Sequence, residues 1–214
     1  MGICKMVYFI NYSKPRFLFV TSFKVGFSSI GGTLEKSFPN LVISFEKVNR
    51  EEMKIKNKFF LVRNPFARTV SCYFAWVYGW NKLDYSKTEG GLLFKNQRII
   101  LRAFRKKMLP ESLSKISFNE FVKILPKIIQ KDHHFRPQID SLCDKSKLKY
   151  FSLLKLENIN DDWKKLCKIL NKKMILLHRF KTKHKNYRFY YDEKTKNIIH
   201  KLYKEDFKKF NYKF

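Results

Sequence analysis

In the segment Phe59 to Tyr73 an arginine and a hydroxyl, Arg63 and Ser71, stand eight residues apart on either side of an Asn64-Pro65 turn. The apolar run Phe59 to Val62 reads as a strand that delivers Arg63 at its end, and the helix after Pro65 carries Ser71. One fixed cation and one hydroxyl beside a helix N-terminus make a site for a phosphate. A second place of the same kind lies near the start of the chain. Phe17 to Val20 reads as a buried strand and is followed by the loop Thr21 to Ile30, which holds Lys24, Val25, Gly26, Phe27, Ser28 and Ser29. The segment Ser29 to Ser37 then reads as a helix whose first turn Gly31 and Gly32 weaken. Strand, loop with lysine, glycine and paired hydroxyls, then helix is the plan of a phosphate cradle. Its backbone N–H groups and helix dipole face the anion, and the lysine neutralises it. The order GxxxxGK[ST] is absent, which weighs against a nucleoside triphosphatase or nucleotide kinase.

FLVRNPFARTVSCY resembles the RDPxxRxxSxY segment with which sulfotransferases hold the 3′-phosphate of 3′-phosphoadenosine 5′-phosphosulfate (PAPS). The first loop resembles the 5′-phosphosulfate loop of the carbohydrate sulfotransferases, written PKxGxTS, on Lys24, Gly26, Ser28 and Ser29. Phe23 stands in place of its proline, and Phe27 where a small residue is common. Asp132-His133-His134-Phe135-Arg136-Pro137-Gln138 with the later Cys143 is similar to the DxHWxPQ…C stretch of the membrane-type carbohydrate sulfotransferases, which include the chondroitin and dermatan enzymes. Tyr150 to Ile159 and Tyr190 to Tyr212 resemble that family's later strand and its closing helix. Five segments in the family's order cover nearly the whole chain. The resemblance implies a P-loop-like α/β fold over a single catalytic domain, residues 1–214. It also implies PAPS as donor, PAP (3′-phosphoadenosine 5′-phosphate) as product, a carbohydrate acceptor, and no metal.

Sulfuryl transfer asks three things of such a site. Lys24, the loop N–H groups and Ser28 or Ser29 would stabilise the leaving 5′-phosphate, while Arg63 and Ser71 would anchor the 3′-phosphate. The acceptor hydroxyl needs a base. His134 is the first choice and His133 its rival; other sulfotransferase branches use a glutamate, which keeps Glu35 and Glu46 open. Asp132 is read as orienting a histidine, and Gln138 and Arg136 as able to reach donor or acceptor. Lys155 and Glu157 read either as donor-pocket residues or as a strand-end ion pair. The remaining histidines, His178, His184 and His200, are scattered without HxxxH or HExxH spacing, which excludes the usual metal motifs.

The elements that must carry these residues alternate. Strands are expected at Phe17 to Val20, Leu41 to Phe45, Phe59 to Arg63 and Tyr150 to Lys155. Helices are expected at Ser29 to Ser37, Ala67 to Trp76, Asn119 to Ile129 and Asp161 to Leu170, the last capped by Asn160 or Asp161. This predicts an α/β fold with a central, mostly parallel sheet flanked by helices and with ligands at the strands' C-terminal ends. Residues 79–115, with Gly90-Gly91 and a basic run, read as an acceptor-side insertion. Trap residues for a sugar ring are Trp76, Tyr78 and Trp80, with core packing as the alternative use.

Composition sets the outer bounds. Hydrophobic residues make up 44% of 214, which excludes a disordered basic tail. A formal charge of +28 predicts attraction to anions generally, and a basic nucleic-acid-binding protein is a second class that fits it. A donor-binding relative without transfer activity is a third. The four cysteines include no CxxC pair, so reduced thiols are expected. No run reaches the ~18 apolar residues of a membrane span, and no secretory h-region or myristoylation pattern begins the chain. The expected location is cytoplasmic, in a microbial or viral source.

Overall fold

The computed structural model describes residues 7–46, 48–75, 116–130, 133–178 and 184–214. The insertion over 79–115, the aromatic residues Trp76, Tyr78 and Trp80, and Asp132 lie outside the described residues.

Five strands form one sheet: β1 (Val7–Asn11), β2 (Phe17–Thr21), β3 (Val42–Ser44), β4 (Asn57–Val62) and β5 (Ser152–Lys155), in the order β3-β1-β2-β4-β5. β2 pairs with β4, and β4 with β5, in parallel; β1 runs antiparallel to both β2 and β3. The sheet is therefore mostly parallel, as expected, with β1 as the strand of opposite sense. Sequence reading passes over β1 because the polar stretch Asn11 to Arg16 follows at once. Those residues make the hairpin connection instead, and Asn11 Nδ2 donates to the carbonyls of Ser13 (3.1 Å) and Pro15 (2.8 Å).

The central strands are apolar on both faces because both faces are covered. Phe9, Phe17, Phe19, Phe59 and Leu61 point to one side, against α1 (Phe27–Ser37) and α4 (Ile159–Ile169). Tyr8, Leu18, Val20, Phe60 and Val62 point to the other, where Ile139, Leu142, Phe151 and Phe210 cover them. A third cluster joins α2 (Pro65–Tyr73), α3 (Phe118–Ile128), α5 (Glu193–Leu202) and α6 (Lys204–Phe210) around Phe66. The rings of Phe207, Tyr191 and Phe214 stand 4.9, 5.0 and 4.8 Å from that of Phe66.

Three local readings change. α4 begins at Ile159, not near Asp161, and its N-cap is Asn158 and not Asn160 or Asp161; the Asp162 carboxylate in its first turn accepts the Lys155 N–H at 2.8 Å. The closing helix is two helices, broken at Tyr203, whose hydroxyl donates to the Phe135 carbonyl at 2.7 Å. Cys143 is disulfide-bonded, where a reduced thiol is expected, whereas Cys72 and Cys167 are not in disulfides.

Gly31 does not weaken α1 so much as let it approach the sheet. A Cβ there would stand 2.8 Å from Cζ of Phe9, a fully buried ring. Gly31→Val should therefore destabilise the fold by about 1–3 kcal/mol through overpacking, read as a lower denaturant midpoint at an unchanged slope.

Candidate functional site

Thr21 lies opposite Leu61 in the parallel pair β2–β4, so the chain leaves both strands at the same edge of the sheet. Two loops begin there side by side. In the first, Lys24 (φ 67) and Gly26 (φ 89) both adopt left-handed backbone. Glycine meets this requirement at Gly26, where a Cβ would also come within 2.9 Å of Leu156 Cδ1. Lys24 has no such freedom and costs about 1–2 kcal/mol there, strain of the kind found at ligand clamps. α1 starts at Phe27, so its first-turn N–H groups, with Ser28 and Ser29, lie at the mouth of this loop. Val25 and Ile30 turn their side chains into the core at 0% and 1% exposure, and the Ile30 N–H donates to the Gly26 carbonyl at 3.1 Å, so of the two only the Val25 backbone remains for a ligand.

The second loop places Arg63 directly after β4, and its Nη1 donates to the Lys24 carbonyl at 3.1 Å. Asn64 caps α2 by accepting the Phe66 N–H at 2.9 Å, with Pro65 at the first helical position. Ser71 follows on α2, buried at 4% exposure. The histidine segment closes the site from a third direction. The His134 ring stacks on Phe23 at 4.2 Å, and Phe23 and Phe27 in turn lie 6.1 Å apart, with Phe27 stacked on Phe9 at 5.3 Å. Phe23 and Phe27, the departures from the family's loop pattern, thus brace the loop with rings. His133 lines an adjoining cleft with Ser22, Phe23, Arg136 and Asp140. The glutamate alternatives are not brought in. Glu35 is eight residues beyond Phe27, roughly 12 Å along the helix axis. Glu46 is exposed past β3, the edge strand.

Arg68, which nothing in the sequence sets apart from a surface arginine, holds the three segments together. It is 1% exposed, and its guanidinium donates to the carbonyls of Phe23 (Nε, 3.0 Å), Arg136 (Nη1, 2.8 Å) and His134 (Nη2, 2.9 Å). Gln138, expected to reach a ligand, is 0% exposed and spends its amide on the backbone of Arg63 and on Asp206. Lys155 and Glu157 do not pair. Lys155 Nζ sits 4.6 Å from the centre of the Tyr212 ring, while Glu157 accepts the Asn64 N–H and the Tyr212 hydroxyl, both at 2.8 Å.

The family model described as the sulfotransferase family matches residues 11–213. The chain belongs to the sulfotransferase family. No curated protein and no solved structure matches it. Membership carries a sulfotransferase activity in general terms, with an acceptor substrate. Among the described residues no group of His, Cys, Asp and Glu is placed to hold a metal ion, and no helix is long and apolar enough to cross a membrane.

The electrostatics of this sulfotransferase site favour an anion. Burial holds Lys24 below the ordinary lysine range, and the positive Arg63 beside it pushes the same way. Burial likewise holds Arg63 below the ordinary arginine range, with Glu157 as an opposing counter-charge. Among the described residues no ion pair joins either cation to a carboxylate. Two partly desolvated, mutually repelling cations at one mouth gain from an anionic ligand.

Two predictions follow from the buried groups. Arg68→Met leaves three carbonyls without their donor, and should cost about 3–5 kcal/mol by denaturant unfolding. Arg68→Lys should recover only part of this, because one ammonium cannot span three carbonyls. Asp206 on α6 is fully buried, and desolvation raises its carboxyl to about 6, against its backbone hydrogen bonds. The folded chain therefore holds that proton more tightly than an unfolded one, where the value is about 4. Asp206's contribution to stability is greatest below about pH 4 and falls by roughly 2–3 kcal/mol as pH rises to about 6, then stays level. The stability difference between wild type and Asp206→Asn, followed from pH 4 to 7, should show this slope; a difference independent of pH would contradict it.

Proposed function

We propose that this chain, acting as one catalytic domain, transfers a sulfuryl group from PAPS to a hydroxyl of a carbohydrate acceptor. The observation that carries the reading is the 3.1 Å bond from Arg63 Nη1 to the Lys24 carbonyl, which ties the two loops together and keeps their cations near enough to repel each other. In this reading Lys24, the α1 first-turn N–H groups and Ser28 or Ser29 hold the 5′ end of the donor. Arg63 and Ser71 hold its 3′-phosphate. His134 takes the acceptor proton as the acceptor oxygen forms its bond to sulfur and the bond from sulfur to the phosphate oxygen breaks, leaving PAP. Lys24 and the helix N-terminus offset the charge that grows on that phosphate. His134 is preferred to His133 because its ring lies against Phe23, the residue before Lys24. A carbohydrate is favoured by the likeness of the histidine segment to that of the carbohydrate sulfotransferases, and by the positive charge of the chain.

Calorimetry with PAP, and with AMP as the ligand lacking the 3′-phosphate, tests the donor site. Wild type should bind PAP at least about tenfold more tightly than AMP, as one charge-assisted contact supplies. Arg63→Ala should lose that preference, and Lys24→Ala should weaken both ligands. PAP binding no better than AMP would sink the reading and make nucleic acid the next ligand to try. With donor binding in place, His134→Ala and His133→Ala assayed against glycan acceptors separate transfer from mere binding. His134→Ala should abolish product while retaining PAP affinity.

A further inference from the structure

β4 ends at Val62, so the peptide groups of Arg63 and Asn64 lie beyond the strand ladder. Side chains far away in sequence take the place of a neighbouring strand. Gln138 Oε1 accepts the Arg63 N–H at 2.8 Å, and Gln138 Nε2 donates to the Arg63 carbonyl at 2.7 Å. This two-bond exchange is what paired residues in adjacent antiparallel strands make with each other. Glu157 takes the next N–H, that of Asn64, and the Asn64 side chain donates to the Lys213 carbonyl at 2.8 Å. The backbone that carries the Arg63 guanidinium is thus fixed by side-chain bonds and not by the sheet.

A primary amide is nearly symmetric in shape, so Gln138 must be told which way to face. Asp206 does this. Its Oδ2 accepts the Gln138 backbone N–H at 2.8 Å and a second Nε2 hydrogen at 3.3 Å, and its Oδ1 accepts the Ile139 N–H at 2.9 Å. With the two Nε2 hydrogens committed to Asp206 and to the Arg63 carbonyl, only the amide oxygen can meet the Arg63 N–H. A flipped amide would set N–H against N–H, and oxygen against both carbonyl and carboxylate. Both side chains are fully buried, so water cannot substitute.

We propose that Gln138, oriented by Asp206, is a positioning residue that aims Arg63 at the donor's 3′-phosphate, so that selectivity for that phosphate is set from the C-terminal helix α6. The proposal rests on the donor-site reading above. It differs from a purely structural role in what it does to ligands. Loss of general stability lowers PAP and AMP binding together, whereas a misaimed Arg63 costs only the ligand that has a 3′-phosphate.

The test compares Gln138→Met, which keeps volume and loses both amide bonds, with Asp206→Asn, which leaves the Gln138 amide in place and removes one of the two oxygens that orient it. Amide hydrogen exchange at Arg63 reads the backbone, and calorimetry with PAP and AMP reads the site. In Gln138→Met the Arg63 amide should exchange at least about tenfold faster. PAP affinity should fall about tenfold while AMP changes by less than about twofold. Asp206→Asn should lie between this variant and wild type, and it carries the same comparison should the methionine variant not fold. Equal losses for PAP and AMP, or an Arg63 amide that exchanges at the wild-type rate in both variants, overturns the proposal. A wild type that does not prefer PAP to AMP overturns the donor reading and with it the role in selectivity; exchange at Arg63 then decides separately whether Gln138 holds that backbone.

Discussion

A guanidinium removed from water must have its N–H groups satisfied, and at Arg68 this demand is met by three main-chain carbonyls instead of a carboxylate. Each is a charge-assisted bond worth about 1.5–3 kcal/mol, and each would be costly to leave unmade. The carbonyls belong to Phe23, His134 and Arg136, that is, to the lysine loop and the histidine segment. Neither segment can shift without stranding a buried donor. Because the guanidinium is planar and its N–H directions are fixed, the bonds set orientation as well as distance. The nearest buried negative group is Asp206, whose carboxyl feels Arg68 as a charge that lowers its affinity for a proton. The same buried region therefore joins three elements: α2 through Arg68, α6 through Asp206, and the turn after Pro137 through Gln138.

The sheet explains why these segments meet at all. Parallel pairing of β2 with β4 brings the ends of two strands together, and a ligand site at that edge is the usual consequence in open α/β sheets. Yet strand ends also leave peptide groups without ladder partners, and those groups must be satisfied if the edge is buried. Gln138, Glu157 and Asn64 do so here, with bonds spanning 75, 93 and 149 residues of sequence. The price of putting function at the strand ends is a set of long-range side-chain bonds that tie those ends to Gln138, Glu157 and Lys213.

Much of this was legible in the sequence, and the parts that were not share a cause. β2, β4 and β5 and the helices after them were readable because their apolar residues recur with the right period and end at glycine, proline or asparagine. The two loops with Lys24, Gly26 and Arg63 were readable because phosphate chemistry fixes residue types at short spacing. Arg68 was not, although it sits inside the quoted motif: an arginine in a helix looks the same in sequence whether it faces water or three carbonyls. Asp206 and Glu157 were opaque for the same reason, since their partners are 68 and 93 residues away. Phe23 and Phe27 read as departures from a loop pattern; only the packing of Phe23 against His134 and of Phe27 against Phe9 gives them a use. β1 was missed because a run of four apolar residues is a weak signal beside a polar turn.

The charge of +28 acts at a different range from the site. The recorded ion pairs are mostly exposed lysines bonded three residues along a helix, contacts worth little to stability. The remaining surface lysines make a field that draws in any polyanion, and at physiological salt it fades over about 8 Å. Such a field raises encounter rates without choosing among phosphates. Lys24 and Arg63 are placed otherwise: partly desolvated, close together, and held by backbone that buried side chains fix. Charges in that setting are screened far less than those on the surface. Selectivity for a particular phosphate must then come from these two groups and the bonds that aim them, while the surface supplies attraction common to all anions. Salt separates the two contributions, because it removes the general one first.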